Sequence, residues 1–272
     1  MQGVPGQFDD IRDRASFRRL PDIAGVELYH AHIARYAFEP HTHQAFGIGA
    51  IEHGAERFRY RGAQHTAGVG ALITMNPDEL HTGQALTEDG WRYRMIYLEP
   101  ELLENLTGEP GRFFGDVVHD SPKLARHTLA LIGQIASSQD TLEQHGLLLT
   151  LAQSLIPLTQ TTSPSAISPR LLHVREYLHD NFMQPLTLET LAQVATMSPY
   201  HFQRQFKAAF HATPHQMLMA IRLWRAKALL TQGMPPAEVA SATGLSDQAH
   251  LTRAFAHRYG VTPARYQKQV RG

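Results

Sequence analysis

Three histidines in the front part of the chain have the residue type and spacing of a metal or ligand site. His41 and His43 stand two residues apart, so on a β-strand both side chains point to one face. His81 follows a turn signal and supplies a third imidazole. Three imidazoles hold a divalent metal ion if the fold brings them together. Two other roles stay open: hydrogen bonding within the fold, and lining a pocket for an organic ligand.

Aromatic and basic residues of the same region are candidates for the walls of such a pocket. Tyr36, Tyr60, Arg92 and Tyr93 come from the same run of predicted strands. The tyrosines would form walls, and the arginine would pair with an anion. Because alternate residues of a strand point to opposite faces, we expect half of this group to point outward.

A second group of polar residues occurs twice in the chain. The stretch 198–214 repeats as 247–263, and the repeat pairs like with like: His201 with His250, Arg204 with Arg253, and Phe206 with Phe255. Apolar residues recur every four positions in each copy, which predicts an amphipathic helix with one polar face. A short helix and a tight turn precede each copy, and this is the arrangement of a helix-turn-helix DNA reader.

The polar faces of the two helices suit contacts with DNA. Gln and Arg make paired hydrogen bonds to purine edges, whereas Lys207 and Arg258 suit phosphates. Ala249 offers contact only with a thymine methyl group, which predicts a less specific second helix. The predicted contacts are Ser198, Tyr200, His201, Gln203, Arg204 and Lys207 in the first copy, and Gln248, Ala249, His250, Thr252, Arg253 and Arg258 in the second.

The elements that must position these residues fall into two regions. Residues 33–98 read as short strands with glycine-containing turns, and 121–158 as two apolar helices. A Ser-, Thr- and Pro-rich stretch follows, and the chain beyond it reads as helical. The predicted fold class is therefore α+β, with a front domain of strands and a helical pair at 1–160, a linker at 161–169 and a helical DNA-binding domain at 170–272. The helix predicted at 215–231 spans about 25 Å and would hold the two readers about 34 Å apart, one turn of DNA.

Composition limits the classes of function. The 272 residues include no cysteine, which excludes disulfides, thiolate zinc sites and a cysteine nucleophile. The net charge is zero, but residues 1–164 hold 13 Lys+Arg and 20 Asp+Glu, whereas 165–272 hold 12 and 5. A basic back half favours a polyanionic partner. No apolar run has the length of a membrane span, and the charged start lacks the apolar core of a signal peptide, so we expect a cytoplasmic protein.

The back region resembles the DNA-binding domain of AraC/XylS-type transcription regulators. The residues that carry this resemblance are Arg222, Ala226, Leu229, Leu230, Val239, Ala240, Gly244, Leu245, Phe255, Thr262 and Pro263. Leu245 and Leu251 replace aromatic residues that are common in the family, and both are conservative core changes. The resemblance implies double-stranded promoter DNA, a small-molecule effector and RNA polymerase as partners, with activation as the usual mode.

The front region is similar to a cupin, a small double-sheet β-barrel that often forms the sensor domain of this family. The metal-binding cupin pattern has a glutamate soon after the second histidine, but here Gln44 and Ala45 follow. Glu39 or Glu52 would have to take its place, and a divalent metal is the one cofactor that the residues suggest. The helix at 141–158 stands where such regulators pair as homodimers, although it could equally cover one face of the barrel.

The sequence thus predicts a one-component regulator without catalytic residues, with activation as its expected mode. One alternative is a cupin-type metal-dependent enzyme with a DNA-binding tail. Another is a constitutive DNA-binding protein whose barrel serves only for dimerisation.

Overall fold

The computed structural model describes residues 10–161 and 167–271, so most of the predicted linker lies outside the described residues. Its strands are β1 (Arg14–Arg19), β2 (Val26–Ile33), β3 (Ala37–His41), β4 (Phe46–His53), β5 (Ala55–Tyr60), β6 (Ala63–Gly68), β7 (Ala71–Met75), β8 (His81–Ala85), β9 (Trp91–Leu98), β10 (Phe113–Phe114), β11 (Val118–Asp120) and β12 (Thr159–Gln160). Its helices are α1 (Pro100–Thr107), α2 (Pro122–Ser137), α3 (Thr141–Leu155), α4 (Pro169–Asp180), α5 (Leu188–Val194), α6 (Pro199–Phe210), α7 (Pro214–Gln232), α8 (Pro236–Ala242), α9 (Gln248–Tyr259) and α10 (Pro263–Arg271).

Two sheets form the front domain. One has six strands in the order β1-β2-β9-β4-β7-β11, and the other has four in the order β3-β8-β5-β6. All the pairings within them are antiparallel. Both sheets contribute to one buried interior, to which β9 contributes Trp91, Tyr93 and Met95. Ile96 and Leu98 point the other way, as the two-residue period of a strand requires.

Helices α1 to α3 cover the outer face of the six-stranded sheet. Leu148, Leu151 and Leu155 of α3 are buried in the core that these helices share with the sheet. The apolar face of α3 therefore packs within the chain, and only Leu142 and Leu149 remain as exposed large apolar residues on this helix. Among the described residues no helix combines the length and the apolar character needed to cross a membrane.

The helical back region contains two helix-turn-helix units joined by α7. The first unit pairs α5 with α6, and its core takes in α4 and the first half of α7. The second unit pairs α8 with α9, and its core includes the second half of α7 and Tyr266 of α10. Gly233 ends α7 in the left-handed conformation with φ 98°, which glycine adopts without steric cost.

The second unit packs against the barrel. Phe255, Tyr259 and Tyr266 belong to the same buried cluster as Phe17 and Tyr29 of the sheet. The first unit has a core of its own, which contains no residue of the barrel strands. The two readers are therefore held differently: the second shares a core with the front domain, and the first does not.

Candidate DNA-reading surface and sensor cavity

Helix α6 presents a polar face to solvent. The Ser198 side chain accepts a hydrogen bond from the backbone N–H of His201 and caps the helix. Phe202, Phe206 and Phe210 are buried on the inner side. The six residues predicted to contact DNA from this copy are all exposed: Ser198, Tyr200, His201, Gln203, Arg204 and Lys207. Tyr200 has 78% of its surface exposed.

Helix α9 repeats this construction. Asp247 caps it, with an Oδ1 that accepts the backbone N–H of His250 at 2.7 Å, and this bond lowers the pKa of the carboxyl. Gln248, Ala249 and Arg253 are exposed, and His250 and Thr252 are half-buried. Five of the six predicted residues of this copy thus lie on or beside the solvent face.

Arg258 is the exception, and its predicted phosphate contact does not fit this arrangement. Its side chain is 7% exposed, and Nη2 donates to the carbonyl of Pro40 at 3.4 Å. Burial lowers the pKa of the guanidinium. The residue follows Leu251 by seven positions and Phe255 by three, which places it on the inner face of the helix. That spacing was visible in the sequence, and it should have outweighed the preference of arginine for phosphate.

The interior of the barrel contains a cavity bounded by both domains. Its volume is about 50 Å³, which leaves room for only a few water molecules. We call it the sensor cavity. The front domain contributes His41, His43, Glu56, His81, Tyr93 and Tyr97 to its walls, and α9 contributes Arg258 and Tyr259.

The three predicted histidines meet in this cavity and form a histidine triad. His41 and His81 stand opposite each other on the antiparallel strands β3 and β8, so their side chains share a face. Their ring centres lie 4.2 Å apart, and His43 lies 5.1 Å from each. One nitrogen from each ring falls within 4.8 Å of the others. Burial lowers the pKa of all three, to about 4 for His81.

Of the four other predicted pocket residues, only Tyr93 lines the cavity. Tyr60 is buried in the interior but its hydroxyl bonds to Glu79 and Asn76. The Tyr36 hydroxyl donates to the carbonyl of His257 at 2.6 Å and so joins the two domains. Arg92 points outward and pairs with Glu52 at 3.3 Å, because its neighbours Trp91 and Tyr93 take the inward positions of β9. These three predictions for a ligand pocket do not fit the structure.

The carboxylates considered as metal ligands also lie elsewhere. Glu39 is exposed, and Glu52 pairs with Arg92 and Arg94 on the outside of the sheet. Glu56 was not predicted from the sequence, yet it is buried in the cavity wall, and burial raises the pKa of its carboxyl to about 8. Glu56 alternates with Phe58 and Tyr60 along β5, so the period of two could have identified it as an inward carboxyl.

A buried ion pair joins the domains beside the cavity. Lys227 of α7 contacts Glu27 of β2, and both side chains are at most 10% exposed. Glu27 also accepts the hydroxyl of Tyr266 at 2.7 Å. The Lys227 ammonium lies 4.7 Å from the ring centres of Phe17 and Tyr259, close enough for cation–π attraction. Desolvation lowers the pKa of Lys227, although Glu27 opposes that shift.

Comparison with known families identifies both regions. The family model of the AraC-like ligand binding domain matches residues 23–152, and a helix-turn-helix domain model matches residues 191–269. The chain belongs to the AraC family of transcriptional regulators. It combines a cupin-like sensor domain with a helical DNA-binding domain, as the resemblance in the sequence implied.

Relatives match this AraC-family chain over most of its length. The uncharacterized HTH-type transcriptional regulator YbfI of Bacillus subtilis (strain 168) is 29% identical over 238 residues, which is 82% of this chain and 86% of YbfI. The HTH-type transcriptional activator RhaS of Enterobacter sp. (strain 638) is 23% identical over 241 residues, 84% of this chain and 86% of RhaS. Both relatives are transcription regulators by name.

A solved structure has the same two-domain fold. Apo ToxT from Vibrio cholerae strain SCE256, a variant with one substitution, aligns with a TM-score of 0.63 and 9% identity over 91% of this chain and 98% of ToxT. At this identity the likeness shows the fold alone. It extends over both domains of the AraC-family regulator.

Proposed function

We propose that this AraC-family protein is a one-component regulator in which a small-molecule effector at the sensor cavity controls how the two recognition helices engage promoter DNA. The observation that carries this proposal concerns α9. Gln248 and Arg253 face solvent on one side of this helix, while Arg258 and Tyr259 form part of the cavity wall on the other. One twelve-residue helix thus belongs to both the DNA reader and the sensor.

The size of the cavity supports a mechanism. A space of about 50 Å³ is far smaller than the 300–1,000 Å³ typical of organic-ligand pockets. An organic effector would therefore fit only if the wall moved, and α9 with its neighbours is the part of the wall that belongs to the other domain. An effector that binds the displaced arrangement more tightly shifts the population towards it.

The proposed DNA contacts divide by chemistry. Gln203, Arg204, Gln248 and Arg253 would read base edges, and Lys207 would contact phosphate. Helix α7 has 19 residues and is about 28 Å long, which suits readers placed in successive major grooves. The proposed domain boundaries stay at 1–160 for the sensor, 161–169 for the linker and 170–272 for the DNA-binding domain.

The remaining partners are proposed from the family. Activation would come through contact with RNA polymerase at promoter DNA in the cytoplasm. A homodimer through the outer side of α3 is also part of the proposal, since Leu142, Gly146 and Leu149 lie on its unpacked side. The matches to regulators favour this function over a metal-dependent enzyme with a DNA-binding tail.

The deciding experiment is sequencing of genomic fragments that the purified full chain retains at physiological salt. We expect enrichment of a few upstream regions that contain paired sites about one helical turn apart. A variant carrying both Arg204→Ala and Arg253→Ala is the control and should lose the enrichment. Retention of the same fragments by that variant would contradict the assignment of the recognition helices. Identical footprints with and without every candidate effector would favour the constitutive alternative.

A further inference from the structure

The hydrogen bonds of the histidine triad leave one nitrogen of each ring free for a ligand. His41 Nδ1 lies 2.7 Å from the carbonyl oxygen of Glu39, and His81 Nδ1 lies 3.1 Å from that of Glu79. A carbonyl only accepts, so both Nδ1 atoms carry the proton and both Nε2 atoms keep a lone pair. Histidines that bind metals show this pattern, in which a backbone carbonyl fixes the tautomer.

His43 provides the second observation. Its Nε2 is buried and has no hydrogen-bond partner among the described residues. A buried polar atom without a partner is destabilising, so such an atom in a native protein needs an explanation. The centre of the His43 ring lies 5.1 Å from the ring centres of His41 and His81, so a ligand between the rings would contact all three.

The geometry and the donor chemistry fit one small cation. Zinc–nitrogen bonds of about 2.0–2.1 Å place the nitrogens of a tetrahedral site about 3.3 Å apart, and one nitrogen from each ring of the triad already lies within 4.8 Å of the others. Imidazole suits zinc, copper, iron and nickel, whereas magnesium and calcium prefer oxygen donors.

We propose that His41, His43 and His81 bind one divalent transition-metal ion through their Nε2 atoms, with its open coordination position taken by an anionic oxygen ligand that Arg258 holds. The site departs from the metal-binding cupin pattern, because no carboxylate of the described residues joins the triad. The metal and its anion would be an inorganic effector for the sensor cavity. This effector role rests on the proposed function, whereas the binding of the metal does not.

Arg258 supplies the reason for an anion. Its guanidinium is buried in the cavity wall, and its Nη1 has no hydrogen-bond partner among the described residues. A dication held by the triad would be repelled by this guanidinium on the wall of the same cavity, unless an anion between the two neutralised both. Since Arg258 belongs to α9, such an anion would join the metal to the second reader.

Metal uptake tests the first half of the proposal. The untagged full chain, stripped of metal, is titrated with Co²⁺ and followed by the visible absorption of low-coordinate cobalt. We expect one equivalent bound, displacement by Zn²⁺, and loss of this binding in His43→Gln. His145→Gln is the matched control, because His145 is exposed on α3 and bonds only to its own helix. Absence of stoichiometric binding to the wild type, or equal binding by the two variants, would overturn the site.

The metal-free His43→Gln chain shows whether lost uptake reflects misfolding. His43 Nε2 has no partner to lose, so we expect thermal unfolding close to that of the metal-free wild type. Zinc should raise the unfolding temperature of the wild type and leave that of His43→Gln unchanged. An equal shift for both proteins would place the zinc elsewhere and overturn the proposal.

Formate tests the second half, since it is small enough for the cavity. Adding it to the cobalt-loaded chain should change the cobalt spectrum, and Arg258→Gln should weaken that response about tenfold. Lys268→Gln, an exposed change in the same unit, should leave the response intact. A wild-type spectrum that formate does not alter would overturn the assigned anion. Both measurements are made without DNA, so their failure is distinct from a failure of DNA reading.

Discussion

Arg204 and Lys207 lie on the same exposed face of α6 but are expected to contact different parts of DNA. A guanidinium that bonds to a guanine edge discriminates between bases. Arg204→Ala should therefore cost about 1–3 kcal/mol on the preferred site and relax the preference at one position. Lys207→Ala should instead weaken binding to all sequences alike and reduce the salt slope by about one.

Binding isotherms on a set of duplexes at several salt concentrations separate the two effects. The duplexes differ at one base pair at a time, and Glu88→Gln, an exposed change in a loop of the front domain, is the control. If Arg204→Ala weakens binding to all the duplexes equally, Arg204 contacts a phosphate and not a base. If both variants bind DNA with the affinity of the wild type, α6 is not a recognition helix.

Glu56 should make stability fall as pH rises. Burial raises the pKa of this carboxyl from 4.5 to about 8, so the folded chain holds a proton that the unfolded chain loses above pH 4.5. Between pH 4.5 and about 8 the folded state therefore binds more protons than the unfolded state. The free energy of unfolding falls as the pH rises through this range. At about 1.4 kcal/mol per pKa unit, Glu56→Gln should stabilise the metal-free chain by about 3 kcal/mol at pH 7.

Urea unfolding from pH 5 to 8 measures this effect. The wild type should lose stability across the range relative to Glu56→Gln, and Glu88→Gln should follow the wild type. Parallel curves for the wild type and Glu56→Gln would mean that the carboxyl is not buried in its neutral form.

At single residues, the sequence located chemistry better than orientation. His41, His43 and His81 do come together as their spacing and the turn suggested, but β3 ends at His41, so His43 follows the strand rather than sharing its face. The directions of Arg92 and Arg258 were misjudged, although the period of two along β9 and the spacing of Arg258 from Leu251 and Phe255 indicate them. What no local pattern contains is the partner of Arg258, since Pro40 belongs to the other domain.

The repeat makes α6 and α9 a natural pair for comparison at the level of elements. Phe206 and Phe255 occupy equivalent positions, and both are fully buried. Removing either ring should cost about 3–5 kcal/mol. Phe206→Ala should loosen the first unit only, whereas Phe255→Ala should also loosen the barrel, because its cluster contains Phe17 and Tyr29.

Hydrogen exchange resolved along the chain distinguishes these outcomes. Amides of β1 and β2 should exchange faster in Phe255→Ala and at the wild-type rate in Phe206→Ala. Equal rates in the two strands for both variants would show that the second unit and the barrel do not share a core in solution.

Elements with a regular apolar period were predictable, and irregular ones were not. Helices α2, α3, α6, α7 and α9 follow from stripes of buried residues and from clear caps such as Asp247. Helix α10 was missed because only Pro263 and Tyr266 of its nine residues are buried. Strand β2 is an exception that was also missed, although Tyr29, Ala31 and Ile33 of its inner face alternate with His30 and His32 of its outer face.

The arrangement of the whole molecule follows from contacts that no local pattern contains. Lys227 and Glu27 are 200 positions apart in sequence yet form a buried ion pair between the domains. Burying two charges costs several kcal/mol per ion unless they meet. The desolvation cost arises only when the domains meet, and it is offset only where the two charges pair, so the pair favours one relative position of sensor and reader.

Breaking the pair between Lys227 and Glu27 should allow the second helix-turn-helix unit to separate from the barrel. Lys227→Met leaves the Glu27 carboxylate buried without its cation, which typically costs about 3–5 kcal/mol. This cost destabilises the arrangement in which the two domains are in contact. It does not affect an arrangement in which the domains have separated and Glu27 is in water. We therefore expect Lys227→Met to raise the affinity of the chain, as purified, for a duplex with two sites. Adding Glu27→Gln should bring the affinity back towards the wild-type value, since the unpaired charge is then gone. An affinity that Lys227→Met leaves unchanged, in a chain whose sensor domain unfolds normally, would mean that the domain contact does not restrain DNA reading.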